Sequence, residues 1–151
     1  MPQKLTVLDP NALAFPVLCF GQGLVLAQLD PKSLTTATSA ALRRRYFNDL
    51  TIVDRGGAVH RVRRAEKRRG VGWFWGYNIF LNRRIEVALF QEPTLATWSL
   101  EDTRNRVLET LGKWSGWSAS GDLNDLRRAI EAAPTIRDVT NAVWEHQTRK
   151  V

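Results

Sequence analysis

Apolar and polar positions repeat every two residues in the central part of the chain and with a helical period in its last third. The segment Arg84–Gln91 has the cleanest alternation. Ile85, Val87 and Leu89 share one face, whereas Glu86, Ala88 and Phe90 share the other. This pattern predicts a strand with one buried face.

Two hairpins are predicted upstream of that strand. Residues 16–20 and 24–28 read as strands joined by a tight connection at Gly21-Gln22-Gly23. Residues 50–54 and 58–64 form the second pair, and Arg55-Gly56-Gly57 between them supplies residues that tolerate a positive φ. Between the hairpins, the small and hydroxyl-rich stretch 33–41 predicts a short helix that ends near Tyr46.

Three helices are predicted after Pro93. Ser99 followed by Asp102 is a capping-box variant, and it predicts a helix over Leu100–Lys113. A second apolar stripe starts at Leu123 and ends before Pro134. Thr135 with Asp138 repeats the cap signature and begins a last helix that runs toward His146. The order of elements predicts an α+β fold in one domain, residues 1–151, with an antiparallel sheet from the N-terminal and central segments and the C-terminal helices on one face.

The positive charge of the chain is concentrated in its centre. Of its 151 residues, 22 are Lys or Arg and 15 are Asp or Glu, giving a net charge of +7. Residues 43–84 hold twelve of the bases and three of the acids. A basic region of this kind favours nucleic acid, an anionic membrane surface or an acidic protein as partner.

Aromatic residues lie inside the same basic block, at Trp73-Phe74-Trp75-Gly76-Tyr77. Arginine suits planar pairing with carboxylate or phosphate, and aromatic rings beside it are typical of interface hot spots. Solvation of a strand and packing of the rings in the core are the structural alternatives. The candidate partner-binding residues are Arg61, Arg63, Arg64, Arg68, Arg69, Trp73, Trp75 and Tyr77. Trp114 and Trp117, in a Gly/Ser-rich connection, are either packed or part of an exposed patch.

The sequence lacks the motifs that are typical of several classes of function. The single cysteine, Cys19, allows no intramolecular disulfide and no cysteine metal site, and it is expected in the core. Phosphate-binding, zinc-protease and serine-hydrolase motifs do not occur, so we expect no cofactor, no metal and no enzymatic activity. A ribonuclease using His60 and His146 would need both side chains in one cleft.

Neither a secretory signal nor a membrane-spanning run is evident, which predicts a cytoplasmic protein with no membrane partner.

One resemblance concerns the central hairpin and parts of the C-terminal half. The chain resembles small bacterial immunity-type proteins, including those of contact-dependent growth inhibition, through residues 46–57, 60–62, 65–67, 85–87 and 99–102. The resemblance covers roughly the middle and C-terminal thirds. It implies a cytoplasmic, non-enzymatic protein that binds and neutralises one cognate toxin.

The basic charge requires such a toxin to present an acidic face. The leading hypothesis is therefore a toxin-binding immunity protein. The alternative is a basic nucleic-acid-binding domain whose arginines contact phosphates and whose aromatic rings stack on bases.

Overall fold

The computed structural model describes residues 4–38, 42, 44–70, 84–93, 96–113 and 121–149. An antiparallel sheet and three C-terminal helices make up most of this part of the chain, so the predicted α+β class is confirmed. The strands are β1 (Thr6–Val7), β2 (Val17–Gly21), β3 (Leu24–Gln28), β4 (Thr36–Thr38), β5 (Leu50–Val53), β6 (Ala58–Gly70), β7 (Arg84–Gln91) and β8 (Ala96–Thr97). The helices are α1 (Pro31–Thr35), α2 (Leu100–Lys113), α3 (Gly121–Ala132) and α4 (Ile136–Arg149), and a 3₁₀ turn spans Pro10–Ala12.

The eight-stranded sheet has the order β1-β7-β6-β5-β2-β3, with β4 also paired to β7 and β8 to β6. Both predicted hairpins are present as antiparallel pairs, β2 with β3 and β5 with β6. Gln22 and Gly23 connect the first hairpin with φ angles of 50° and 75°, which suit the twist of the flanking strands. In the second hairpin, β6 runs to Gly70 rather than stopping at the predicted residue 64.

The predicted helix, which begins in the stretch 33–41 and ends near Tyr46, is wrong in its first part. Helix α1 begins at Pro31 and ends at Thr35, and the next residues, Thr36–Thr38, form strand β4 against β7. Leu42 is again helical, and residues 44–49 form turns. Asp30 caps the helix by accepting a hydrogen bond from the Ser33 N–H at 2.7 Å, and this bond lowers the pKa of the carboxyl group. The β-branched threonines favour the strand that comes next. Residues 39–41 and 43 of the predicted helical stretch lie outside the described residues.

The sheet separates two apolar clusters. On one face, α2 and α4 cover β2 and β3, α3 packs chiefly on those two helices, and the cluster includes Leu18, Val53, Val107, Ile130 and Val139. The opposite face carries a second cluster, in which strand residues pack against N-terminal residues and residues near position 47; it includes Leu8, Val17, Leu34, Phe47, Ile52 and Val87. The central strand β2 is accordingly buried at each of its five positions. None of the described helices combines the length and apolar composition that a membrane crossing requires.

Candidate binding surface on strand β6

Strand β6 runs from the core into solvent. Its first residues pair with β5, where Val59, His60 and Val62 are buried, and its later residues pair with β7. The register shifts twice, between Val62 and Arg64 and between Lys67 and Arg69. A bulge interrupts the alternation of inward and outward residues. Consecutive basic residues are therefore exposed: Arg61, Arg63, Arg64, Lys67 and Arg68 all face solvent.

Arg63 is held between two carboxylates. Its Nη1 donates to Asp49 Oδ1 at 2.7 Å, and its Nη2 donates to Glu92 Oε1. The Glu92 side chain is only 11% exposed, whereas that of Arg63 is 48% exposed. The hydrogen bonds to Asp49 and then to Glu92 raise the pKa of the guanidinium above its ordinary value. Arg63 is thus a half-exposed cation that two acids hold in place on β6.

Arg64 is oriented by a ring and an acid. Its guanidinium carbon lies 4.1 Å from the centre of the Phe90 ring, a cation–π contact, and Nη1 pairs with Glu66. Arg64 stands opposite Phe90 in the ladder, and Phe90 in turn stands opposite Val7. Directly opposed residues project from the same face. Arg64, Phe90 and the 54%-exposed Val7 therefore form a mixed basic and apolar strip.

Arg61 lies on this same face of the sheet. It stands opposite Thr51, which stands opposite Phe20, a member of the cluster covered by the helices. Arg61 is nevertheless exposed, because the helices pack mainly on β2 and β3. We call Arg61, Arg63, Arg64, Phe90 and Val7 together the β6 surface.

Arg68 lies farther along the strand. Its Nη1 is 3.8 Å from Glu86 Oε1, and its side chain is 63% exposed. It also lines an open cavity of about 620 Å³ together with Asp9, Lys32 and Glu86. The cavity contains both signs of charge, so it provides no single-sign anion site.

The predicted partner-binding residues are therefore described in part. Arg61, Arg63, Arg64 and Arg68 are exposed along one strand, and Arg69 belongs to the same strand opposite Glu86. Trp73, Trp75 and Tyr77 lie outside the described residues, and so do Trp114 and Trp117.

Five residues that contact these arginines were absent from the predicted set: Asp49, Glu66, Glu86, Phe90 and Glu92. The alternation in β7 placed Glu86 and Phe90 on the face away from Ile85, Val87 and Leu89, which was the available signal for them. Asp49 and Glu92 become partners of Arg63 only through the register of β5, β6 and β7.

The two histidines are not brought into one cleft. His60 stands opposite Ile52, on the face of the second apolar cluster, and its Nδ1 is 2.9 Å from Gln91 Oε1. His146 is buried in α4, which packs on the other face. The sheet therefore separates them. Within the described ranges, no group of three or more His, Cys, Asp or Glu side chains is arranged to hold a metal ion.

Comparison with known proteins does not assign this chain to a family. No protein-family model, no curated protein and no solved structure matches it.

Proposed function

We propose that this chain is a non-enzymatic protein-binding module of immunity type, which neutralises a toxin domain by docking an acidic face of that domain on the β6 surface. The observation that carries the proposal is the row of exposed arginines on one strand beside the partly exposed Phe90 and the exposed Val7. Arginine and aromatic residues are enriched among the side chains that contribute most to protein–protein affinity.

The arginines are already oriented in the free protein. Asp49 and Glu92 fix Arg63, and Phe90 and Glu66 hold Arg64. Ordering a long side chain on binding costs about 0.5–1.5 kcal/mol when the side chain is free to move beforehand. Contacts that exist before binding reduce that cost, so this arrangement favours a specific docking surface over a merely solvated strand.

The distribution of charges favours a protein over nucleic acid. The basic side chains of β6 are interspersed with Asp49, Glu66, Glu86 and Glu92, and each of these acids forms an ion pair with an arginine of the strand. Phosphates repel such carboxylates, and nucleic-acid sites are normally strongly positive. A protein partner with a mainly acidic face avoids this repulsion, because it can place its acids opposite the arginines and neutral or basic side chains opposite the four carboxylates.

A growth assay tests the proposal. The reading frame next to this gene is expressed alone, with the wild-type protein, and with the charge-reversal variant Arg61→Glu/Arg64→Glu. The neighbouring product should stop growth, the wild-type protein should restore it, and the variant should not. The matched control is Arg128→Glu/Arg137→Glu, which reverses two exposed arginines on α3 and α4 and should protect as well as the wild type.

Two outcomes would overturn the proposal: a neighbouring product that is harmless alone, or full protection by the β6 variant. Circular dichroism of each variant establishes that it is folded. A titration with single-stranded and duplex probes at low salt addresses the nucleic-acid alternative. We expect no binding there, whereas binding that weakens log-linearly with salt would replace the proposal with a phosphate-contacting function.

A further inference from the structure

A cavity of about 310 Å³ opens on the sheet face opposite the C-terminal helices. Its floor is formed by Cys19, Leu26 and Gln28 of the β2–β3 hairpin. Leu34 and Ala37, from the α1–β4 segment, line it as well. The remaining lining residues are Ser33, Thr36, Tyr46, Phe47 and Leu50. Its volume lies at the lower end of the range of about 300–1,000 Å³ that is typical of small-molecule sites.

The strand beneath the cavity is apolar on both faces, and the described residues cover its second face only in part, through α1 and residues 46–47. Val25 and Ala27 face the helices and are 2% and 0% exposed. Leu24 and Leu26 face the other way and remain partly exposed. Strands with two apolar faces normally have both faces covered. Among the described residues, the partly exposed leucine face is therefore a surface that a bound molecule would complete.

The lining is electrically neutral. Among the described residues that line the cavity, none is Asp, Glu, Lys, Arg or His, although the whole chain carries +7. Burial raises the pKa of the Cys19 thiol to about 12, and burial likewise raises the pKa of the Tyr46 phenol. Both groups are thus uncharged at neutral pH. Transfer of a charged ligand into such surroundings is unfavourable.

We infer that this cavity binds a small, neutral molecule with an apolar ring or chain, and that Gln28, Ser33 or Thr36 hydrogen-bonds to a single polar group of it. A predominantly apolar lining with a few polar groups is the common composition of ligand pockets. This site lies on the sheet face opposite Arg61 and Arg64, and the inference does not depend on the proposed function.

The neutral fluorescent probe N-phenyl-1-naphthylamine tests the inference. Its fluorescence rises in apolar surroundings, so we expect a saturable increase with one site per chain. Ala37→Leu places a larger side chain in the cavity and should weaken probe binding several-fold. Ala129→Leu adds the same side chain at an exposed position of α3 and should leave the increase unchanged. The β6 variant Arg61→Glu/Arg64→Glu should also bind the probe normally, which separates this test from that of the proposed function.

Cys19 provides a second measurement on the wild-type protein. It is the only cysteine of the chain and lines the cavity, so its modification by methyl methanethiosulfonate reports on access to the cavity. Because Cys19 is 2% exposed and burial raises the pKa of its thiol, the reaction is run at about pH 9 over hours, so that a slow rate can be measured by mass spectrometry. Bound probe should slow this modification. A fluorescence increase that does not saturate, unchanged binding by a folded Ala37→Leu variant, or a modification rate that the probe does not alter would each overturn the inference. If the Ala37→Leu variant does not fold, the effect of the probe on the modification rate of Cys19 in the wild-type protein tests the inference by itself.

Discussion

The side chain of Gln147 forms two hydrogen bonds with the main chain of Ala27, 120 residues earlier in the sequence. Its Oε1 accepts from the Ala27 N–H at 2.8 Å, and its Nε2 donates to the Ala27 carbonyl oxygen at 3.2 Å. Ala27 lies in β3, at the end of the sheet order. An edge strand leaves main-chain donors and acceptors without a neighbouring strand. Because a primary amide has the same donor and acceptor as a peptide group, Gln147 replaces that neighbour at Ala27 and ties α4 to the sheet.

Replacement of Gln147 by Ala is expected to destabilise the protein. Each hydrogen bond contributes about 0.5–1.5 kcal/mol, so the loss in unfolding free energy should be about 1–3 kcal/mol. Urea denaturation measures this change. Hydrogen exchange should also show faster exchange of the Ala27 amide. Glu145→Ala, at an exposed position of the same helix, is the matched control and should change stability by less than about 0.5 kcal/mol. Equal effects of the two substitutions would argue against the role of Gln147.

Arg104 should be the most important arginine for the packing of the helices. From α2, its Nε donates to the Ile130 carbonyl at 3.1 Å and its Nη2 donates to the Ala133 carbonyl at 2.6 Å, at the C-terminal end of α3. A cation stabilises the negative end of a helix dipole and satisfies its terminal carbonyls. Arg104→Ala should therefore lower the unfolding free energy by about 2–4 kcal/mol.

Arg106 lies on the same helix and is exposed, so Arg106→Ala is the matched control for Arg104→Ala and should cost under about 1 kcal/mol. Thermal and urea denaturation of both variants compare them directly. An Arg104→Ala variant as stable as Arg106→Ala would contradict the proposed capping of α3.

Helices and strands that are determined by residues close together in the sequence could be predicted from it. The Ser99–Asp102 pair makes its reciprocal bonds, at 3.2 Å from the Ser99 N–H and 3.0 Å from the Asp102 N–H, and α2 spans the predicted residues. The alternation of apolar and polar residues likewise predicted both ends of β7, at Arg84 and Gln91. In each case, the residues that determine the element are close to one another in the sequence. A local sequence pattern is therefore enough to predict the element.

Features that depend on distant pairing were missed. Thr36–Thr38 is a strand because β7 lies alongside it; the β-branched threonines favour an extended chain, but they do not reveal its distant partner. Similarly, the arginines of β6 were identified as a group from composition. The orientation of Arg63 depends on Asp49 and Glu92, which are 14 and 29 residues away in the sequence. Composition therefore located the candidate surface, whereas the register of three strands determines which charges are paired within it.

Two adjacent glycines of the β5–β6 turn should respond very differently to substitution. Gly57 has a φ of +90°, and a Cβ there would lie 2.4 Å from the Trp98 carbonyl oxygen. Gly57→Ala is therefore expected to lower the unfolding free energy by about 2 kcal/mol or more, through both backbone strain and steric overlap.

For Gly56, the nearest atom to a built Cβ is Asp54 Oδ1, at an ordinary 3.5 Å. Gly56→Ala should accordingly be neutral or stabilising by up to about 1 kcal/mol, because it restricts the unfolded chain. Urea denaturation of the two variants gives the comparison. A stable Gly57→Ala protein would mean that β8 and the turn do not pack as closely as described.

The buried thiol of Cys19 should make the protein less stable in alkaline solution. Burial raises its pKa to about 12 in the folded chain from 9.0 for an ordinary thiol. Between these values, the unfolded chain releases the proton and the folded chain retains it, so the unfolding free energy falls as pH rises. The thiol contributes a slope of up to about 1.4 kcal/mol per pH unit in this range and none below about pH 8.

Urea denaturation from about pH 7.5 to about pH 10.5 should show a shallower decline of the unfolding free energy for Cys19→Ala than for the wild type, even though the variant is less stable at neutral pH. Parallel curves for the two proteins would mean that the thiol ionises equally in the folded and unfolded chains.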